Sequence, residues 1–175
     1  DWLNQREAVR RVQGGGTFLQ ENFLTVVAQT NGHGAMDDIS LNELVEARRH
    51  LEPLVSRLVV ERIPDAALAE LRGEVEAASP NCDDVNLWRQ HNLQFHTRLA
   101  HLCGNRILAR TLEEILAEVL AFWATRTEHS EISRSHAEHA AIVEALAARD
   151  GDRAAELMAA HVEHFARAVA GDDET

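Results

Sequence analysis

Apolar residues recur three and four positions apart along most of the chain, from residue 37 to about residue 170. This spacing places them on one face of a helix, and no run in this region alternates apolar and polar residues as a half-buried strand does. Helix stop signals divide the pattern into six segments whose short connections favour antiparallel neighbours. We predict helices over residues 40–62, 65–78, 83–103, 107–126, 131–149 and 152–170.

Particular residues define these boundaries. Ser40 and Glu43 have the spacing of a capping box at the start of the first helix, and Pro64 forbids its continuation. Gly104 and Asn105 both tolerate the left-handed conformation that ends many helices, so we expect them to end the third helix. The fifth and sixth helices are expected to be joined by a tight turn at residues 150–151.

The amino-terminal part has a different character. A glycine-rich turn at residues 14–16 leads into a short apolar run at residues 17–19, which predicts a β-hairpin. Residues 30–34 have the composition of a flexible linker. The predicted organisation is a hairpin segment over residues 1–20, a linker over 21–36, a helical bundle over 37–171 and a tail over 172–175.

The composition fits one domain and excludes several classes of protein. A chain of 175 residues with 45% apolar content fills a single core, and a second full domain does not fit. The 17 basic and 29 acidic residues give a net charge of −12, which repels the phosphate backbone over most of the surface. With two cysteines and no recognisable signal peptide or membrane span, a cytoplasmic location is expected.

Three of the ten histidines fall on predicted buried faces. His96 lies in the apolar stripe of the third helix, and His139 and His161 lie in those of the fifth and sixth. The tight turn between the last two helices puts His139 and His161 at one level, roughly 16 Å from the turn at a rise of 1.5 Å per residue. Asn92 lies one turn before His96 on the same face, which is the spacing of an i, i+4 ligand pair.

Three imidazoles and an amide oxygen at mid-bundle suit a borderline divalent ion such as Zn²⁺, Ni²⁺ or Co²⁺. The alternative is that each buried histidine donates to a backbone carbonyl in an ordinary core. His136 is a further candidate, as a ligand or as a partner of one, and His164 is offset from the centre of its stripe. No role is assigned to the remaining histidines, which are His33, His50, His91, His101 and His129.

Arg48 interrupts the apolar face of the first helix between Leu44 and Leu51. A buried guanidinium requires an anion. Two sources are equally consistent with the sequence: an internal carboxylate from Glu114 or Glu118, or the carboxylate of a bound ligand held bidentately. Arg48 is therefore a candidate ligand-binding residue.

Four motifs resemble the FCD domain (FadR C-terminal domain) of GntR-type transcription regulators. Residues 44–53, with the sequence LVEARRHLEP, resemble the opening helix of that domain. The later matches are FHTRLA at 95–100 with CGNR at 103–106, EHAAI at 138–142 and MAAHV at 158–162. The resemblance covers about residues 37–170 and implies an all-α antiparallel bundle of about six helices that binds an effector.

The resemblance also implies a metal site. In the family the ligands are typically an aspartate, a histidine four residues later and one histidine from each of the last two long helices. The matching positions here are Asn92, His96, His139 and His161. Asn92 departs from the pattern, and a neutral amide is a weaker ligand than a carboxylate. The implied cofactor is a divalent metal, Zn²⁺ or Ni²⁺, that is held weakly or is absent.

Residues 10–19 resemble the wing hairpin that closes the GntR winged helix-turn-helix domain. The recognition helix of such a domain would precede residue 1, so DNA-binding residues cannot be named. The resemblance implies a homodimer that binds operator DNA through paired winged domains and a small organic acid through the helical bundle.

Two other functions remain open from the residues alone. Three histidines with an open metal position can activate water, as in a metal-dependent hydrolase, although no inward Glu or Asp stands out as a general base. The chain can also be a metal-free interaction module in which the histidines are core residues. The resemblance favours the regulator and predicts that the chain is not an enzyme.

Overall fold

Six helices and one two-stranded hairpin make up the described part of the chain, which comprises residues 9–12, 16–19, 39–78, 84–123 and 129–170 of a computed structural model. Strand β1 (Val9–Val12) pairs antiparallel with β2 (Gly16–Leu19). The helices are α1 (Leu41–Arg62), α2 (Asp65–Ala77), α3 (Val85–Leu102), α4 (Arg106–Trp123), α5 (His129–Ala147) and α6 (Gly151–Ala170). The predicted all-α bundle and the hairpin before it are confirmed. The predicted linker and tail, residue 83 and residues 124–126 lie outside the described residues.

Helix α1 begins and ends where its sequence predicts. The Ser40 hydroxyl accepts a hydrogen bond from the Glu43 N–H at 3.3 Å, and the Glu43 carboxylate accepts one from the Ser40 N–H at 2.8 Å, which completes the capping box. At the other end Pro64 follows Ile63, whose N–H donates to the carbonyl of Val59. Helix α1 is the centre of the bundle, because it packs against α3, α4, α5 and α6.

The turn between α3 and α4 explains the Gly-Asn motif. Gly104 adopts a left-handed conformation with φ of 72°, as expected from the sequence. Asn105 then caps α4, since its Oδ1 accepts hydrogen bonds from the N–H groups of Ile107 at 3.0 Å and Leu108 at 3.4 Å. A Cβ at Gly104 would lie 3.2 Å from the side chain of Arg62, so both the backbone conformation and the space favour glycine here.

The turn between α5 and α6 differs from the expectation in one respect. Arg149 has the positive φ, 58°, whereas Gly151 is the first residue of α6. Asp150 caps α6 by accepting a hydrogen bond from the Arg153 N–H at 2.9 Å. Gly151 instead allows α6 to pack closely against α1, because a Cβ at this position would lie 3.3 Å from Cγ of Arg57 on α1.

The side chain of Arg149 joins this turn to the turn between α1 and α2. Its Nη1 donates to the carbonyls of Val60 at 3.2 Å and Ile63 at 2.8 Å, and its Nη2 pairs with Asp65 at 2.6 Å. Two connections that are distant in sequence are thereby held together at one end of the bundle.

Buried polar side chains form a layer between apolar ones. On α1, Arg48 and Glu52 lie between Leu44 and Val55 in sequence, and all four are buried. The other buried polar residues of the described helices are Ser56, Arg89, Asn92, His96, Ser135, His139 and His161. Among the helices that the structure describes, none combines the length and apolar character needed to span a bilayer.

Gly104→Ala should lower the free energy of unfolding by about 1–2 kcal/mol, because a side chain disfavours the left-handed conformation. Gly73→Ala is the matched control: Gly73 lies inside α2, nothing lies within 4 Å of an added Cβ, and the variant should gain about 0.5–1 kcal/mol. Urea denaturation at a fixed protein concentration measures both changes. A Gly104→Ala variant as stable as the original chain would contradict this account of the turn.

Candidate metal centre

Three buried histidines from three helices meet inside the bundle. Nε2 of His161, on α6, lies 3.1 Å from Nε2 of His96, on α3, and 3.3 Å from Nε2 of His139, on α5. All three side chains are buried, and their ligand atoms lie within 4.8 Å of one another. The structure therefore brings together three of the four side chains that the sequence predicts as metal ligands.

Ring packing fixes the positions of these histidines. The rings of His96 and His161 stack with centroids 5.0 Å apart and an interplanar angle of 23°. His139 stacks on Phe95 with centroids 4.0 Å apart and an angle of 20°. Each imidazole is held in place by a neighbouring ring, which reduces the freedom it must lose to bind a ligand.

Two carboxylates that the sequence analysis did not single out orient two of the rings. Glu52 on α1 contacts Nδ1 of His96, and Glu138 on α5 accepts from Nδ1 of His161 at 2.6 Å. An ionised carboxylate only accepts hydrogen bonds, so a neutral ring beside it carries its proton on Nδ1 and its lone pair on Nε2. With both rings neutral, Nε2 of His96 and Nε2 of His161 each carry a lone pair and lie 3.1 Å apart, a contact that a cation or a shared proton between them relieves.

Glu52 is also the anion that Arg48 requires. Nε of Arg48 donates to one Glu52 oxygen, and the other Glu52 oxygen contacts His96. The internal carboxylate predicted for this role is therefore Glu52 in place of Glu114 or Glu118; Glu114 is exposed and pairs with Arg110 at 3.1 Å. Glu52 lies one helical turn after Arg48, and this i, i+4 spacing is the signal in the sequence that indicates the pair.

Burial and neighbouring charges set the protonation of this cluster. Burial alone raises the pKa of Glu52, but the Arg48 guanidinium and the His96 ring outweigh burial and hold that pKa well below its ordinary value. Burial lowers the pKa of His96 to about 4 in spite of Glu52. Burial, together with the charges that His161 and His96 would carry, also lowers the pKa of His139. The His96 and His139 rings are therefore neutral at neutral pH, as metal ligands must be.

The spacing of the nitrogens fits a divalent ion. Nitrogens bound to Zn²⁺ at 2.0–2.1 Å with tetrahedral angles lie about 3.3–3.4 Å apart. The two separations from Nε2 of His161 are 3.1 and 3.3 Å, and all three ligand atoms lie within 4.8 Å of one another. Three imidazoles without a thiolate suit Zn²⁺ or Ni²⁺, and carboxylates behind the rings are the usual outer partners of such ligands. Three protein ligands leave a further coordination position for an exogenous group.

Asn92, the fourth predicted ligand, is buried one turn before His96 on the same face of α3. Its Oδ1 accepts a hydrogen bond from the hydroxyl of Ser135 at 3.3 Å. The amide oxygen therefore has a protein partner already, and its part in metal binding stays a prediction.

A cavity adjoins the histidine cluster between α2, α3 and α5. Its wall includes His139, and also Glu74, Trp88, Asn92, Phe95 and His136. The cavity is small, with room for about one or two water molecules. Because His139 belongs to both features, a molecule in the cavity lies beside the cluster.

The other candidate histidines have protein partners. Nε2 of His136 donates to the carbonyl of Val75 at 3.0 Å, which is the ordinary core role, and His164 shares Glu138 with His161. Among the histidines given no role, His50 and His101 are exposed, and His91 is half-buried. His33 and the side chain of His129 lie outside what the structure describes.

Comparison with known proteins identifies the family. The model of the FCD domain family matches residues 43–164, so the chain belongs to that family. It is 29% identical over 157 residues to the HTH-type transcriptional repressor GlaR of Escherichia coli K12, covering 83% of this chain and 71% of GlaR. It is 26% identical over 171 residues to the HTH-type transcriptional regulator LutR of Bacillus subtilis, covering 93% of this chain and 78% of LutR.

Solved structures agree with this assignment. E. coli McbR/YncC superposes with a TM-score of 0.68 at 18% identity, over 97% of this chain and 80% of that one. Streptococcus agalactiae GntR superposes with a TM-score of 0.60 at 25% identity, over 95% of this chain and 77% of that one. The resemblance to GntR-type regulators is confirmed, and the relatives are transcription regulators rather than enzymes.

Glu52→Gln should lower the free energy of unfolding by about 3 kcal/mol, because removing one member of a buried ion pair leaves the Arg48 charge uncompensated. Glu46→Gln removes the same charge from an exposed position on α1 and should change stability by no more than about 0.5 kcal/mol. Urea denaturation measures both variants. The double variant Arg48→Met, Glu52→Gln should lose less than the sum of the single losses, and strict additivity would rule out the pairing.

Proposed function

We propose that this chain is the effector-binding domain of a dimeric transcription regulator that senses a small organic acid at a histidine-bound metal. The observation that carries the proposal is the convergence of the Nε2 atoms of His96, His139 and His161. Carboxylates contact the Nδ1 atoms of two of these rings, which leaves the Nε2 atoms of those rings to bind a cation. Membership of the FCD family supplies the regulatory context.

A bound Zn²⁺ or Ni²⁺ would supply positive charge and an open position for the carboxylate of an effector. Residues of the chain position the histidine rings that would hold the ion. Glu52 and Glu138 hold the rings of His96 and His161, and Phe95 supports His139. Because the ligands come from α3, α5 and α6, and Glu52 from α1, an effector at this point acts on four helices at once.

Arg48 is the proposed second anchor for the effector. Its Nε is engaged by Glu52, and its terminal amino groups would donate to the effector's carboxylate. The guanidinium also lies over the ring of Phe165 on α6, 4.6 Å from its centroid. A shift of Arg48 on binding would therefore alter the packing of α6 against α1, and the effector would favour one of two arrangements.

Operator binding is proposed from the hairpin and the relatives. Strands β1 and β2 form an antiparallel pair with Arg10 and Arg11 in β1, which fits the wing of a winged-helix domain. The relatives GlaR and LutR are both HTH-type regulators. Paired winged domains of a cytoplasmic homodimer would bind a two-fold symmetric operator, while the acidic bundle carries the sensor.

Protein purified without a histidine tag should contain about one Zn²⁺ or Ni²⁺ per chain by elemental analysis. Removing the metal with EDTA should lower the midpoint of thermal unfolding, because the ion binds only the folded chain. Tag-free protein that holds no metal and gains no thermal stability from added Zn²⁺ or Ni²⁺ would overturn the metal site.

Matched variants sharpen this metal test. His161→Gln should abolish binding, whereas His136→Gln should retain it because that ring donates to a backbone carbonyl. Asn92→Asp should raise the affinity for Zn²⁺ roughly tenfold or more by adding a charged oxygen ligand. Asn86→Asp adds the same charge at an exposed position near the start of α3 and should leave the affinity unchanged.

Calorimetry of the metal-loaded chain with a panel of small carboxylic and hydroxy acids should find at least one that binds. Arg48→Lys should weaken that binding about tenfold or more, because lysine keeps the charge beside Glu52 but lacks the bidentate fork. Arg49→Lys is the control, since Arg49 is half-exposed and pairs with Glu163. Equal affinity of Arg48→Lys and the original chain would remove Arg48 from the mechanism.

A further inference from the structure

Glu138 on α5 contacts two histidines of α6 at the same time. Its Oε2 accepts a hydrogen bond from Nδ1 of His161 at 2.6 Å, and its Oε1 contacts Nδ1 of His164. An ionised carboxylate only accepts hydrogen bonds, so both rings donate to it from Nδ1. His161 and His164 lie three positions apart and therefore on the same side of α6. The two rings thus engage both oxygens of a single carboxylate.

The two carboxylates behind the histidine centre differ in their surroundings. Glu52 is 3% exposed, and its two oxygens are engaged by Arg48 and His96. Glu138 is 20% exposed, so water competes for its oxygens and the side chain has more freedom to lose. The second oxygen of Glu138 is engaged by His164. His164 therefore holds Glu138 in place, as Arg48 holds Glu52.

The position of Glu138 determines which nitrogen of His161 is free to bind a metal. While Glu138 accepts from Nδ1, the neutral ring keeps its proton there and its lone pair on Nε2, which faces His96 and His139. If Glu138 rotated away into solvent, the ring could carry its proton on Nε2 instead and could also turn. Either change removes a metal ligand from the histidine centre.

We infer that His164 is a positioning residue for the metal: it fixes Glu138 and, through Glu138, the ring orientation and the proton of His161. This inference rests on the proposed function, because it takes Nε2 of His161 as a metal ligand. His164 is 38% exposed, whereas His161 is 5% exposed. The affinity of a buried metal site thereby depends on a side chain at the surface of the bundle.

Two substitutions of His164 test this role by their effect on Zn²⁺ binding to the full chain. His164→Leu keeps an apolar side chain of similar bulk but removes the donor. Loss of a direct outer partner costs roughly ten- to a hundredfold in metal affinity, and His164 acts one contact further out, so we expect a loss of about threefold to tenfold. His164→Asn carries an N–H on Cγ, as histidine does at Nδ1, and should bind Zn²⁺ within about twofold of the original chain. Competition with a chromophoric chelator measures the affinities.

His101→Leu is the matched control. His101 on α3 is 41% exposed and pairs with Glu113 on α4 at 2.7 Å, and Glu113 is 22% exposed. This pair therefore resembles that of His164 and Glu138 in composition and exposure, but neither of its members contacts a histidine of the centre. His101→Leu should leave the affinity for Zn²⁺ unchanged.

A double-variant cycle separates positioning from a general effect on stability. Glu138→Ala removes both contacts, so adding His164→Leu to it should cause no further loss of Zn²⁺ affinity. Nitrogen NMR of the metal-free chain at mildly alkaline pH gives an independent measurement. The proton of His161 should lie on Nδ1 in the original chain and in His164→Asn, and should be shared between Nδ1 and Nε2 in His164→Leu.

The outcomes distinguish this inference from the proposed function. If the original chain binds Zn²⁺ and His164→Leu binds it equally well, or if His101→Leu weakens binding as much, the role of His164 is overturned and the metal site stands. The same holds if His164→Leu lowers the affinity by an equal factor with and without Glu138. If Glu138→Ala does not fold, the comparison of His164→Leu with His164→Asn and the His161 proton decide. An original chain that binds no Zn²⁺ overturns both.

Discussion

The structure depends on the burial of the Arg48 and Glu52 ion pair beside three imidazoles. Charges inside a protein are stable only when they are paired and hydrogen-bonded, and this pair meets the condition by extending to His96 and, through the stacked rings, to His161. The contact of Glu52 with His96 joins α1 to α3, and the stacking of His96 on His161 joins α3 to α6.

Much of this arrangement could be predicted because helical periodicity reports which face a residue occupies. His96, His139 and His161 interrupt apolar stripes, and the short connection between α5 and α6 sets two of them at one level. The capping box at Ser40 and the stop at Pro64 are local signals that depend on little else. Where neighbouring residues determine the structure, the sequence is a sufficient guide.

The remaining features depend on how helices pack, which periodicity does not report. Glu138 is next to His139 in sequence, but its carboxylate accepts a hydrogen bond from His161 on the next helix. Glu52 contacts both Arg48 on its own helix and His96 on α3. A pattern of buried faces along the sequence does not reveal such a double contact. Arg149, rather than Gly151 two residues later, takes the left-handed position, and its side chain has three partners across the turn.

The contacts of Arg149 have a mechanical consequence. They fasten the carboxyl end of α1 to the turn between α5 and α6, whereas the amino end of α1 leads toward the β1–β2 hairpin. Helix α1 has 22 residues and is therefore about 33 Å long. If one end is the pivot, a tilt of about 5° near the buried ion pair displaces the free end of such a helix by about 3 Å. With that pivot, helix α1 would act as a lever, since a small displacement at the buried ion pair becomes a larger one at the amino end of the helix.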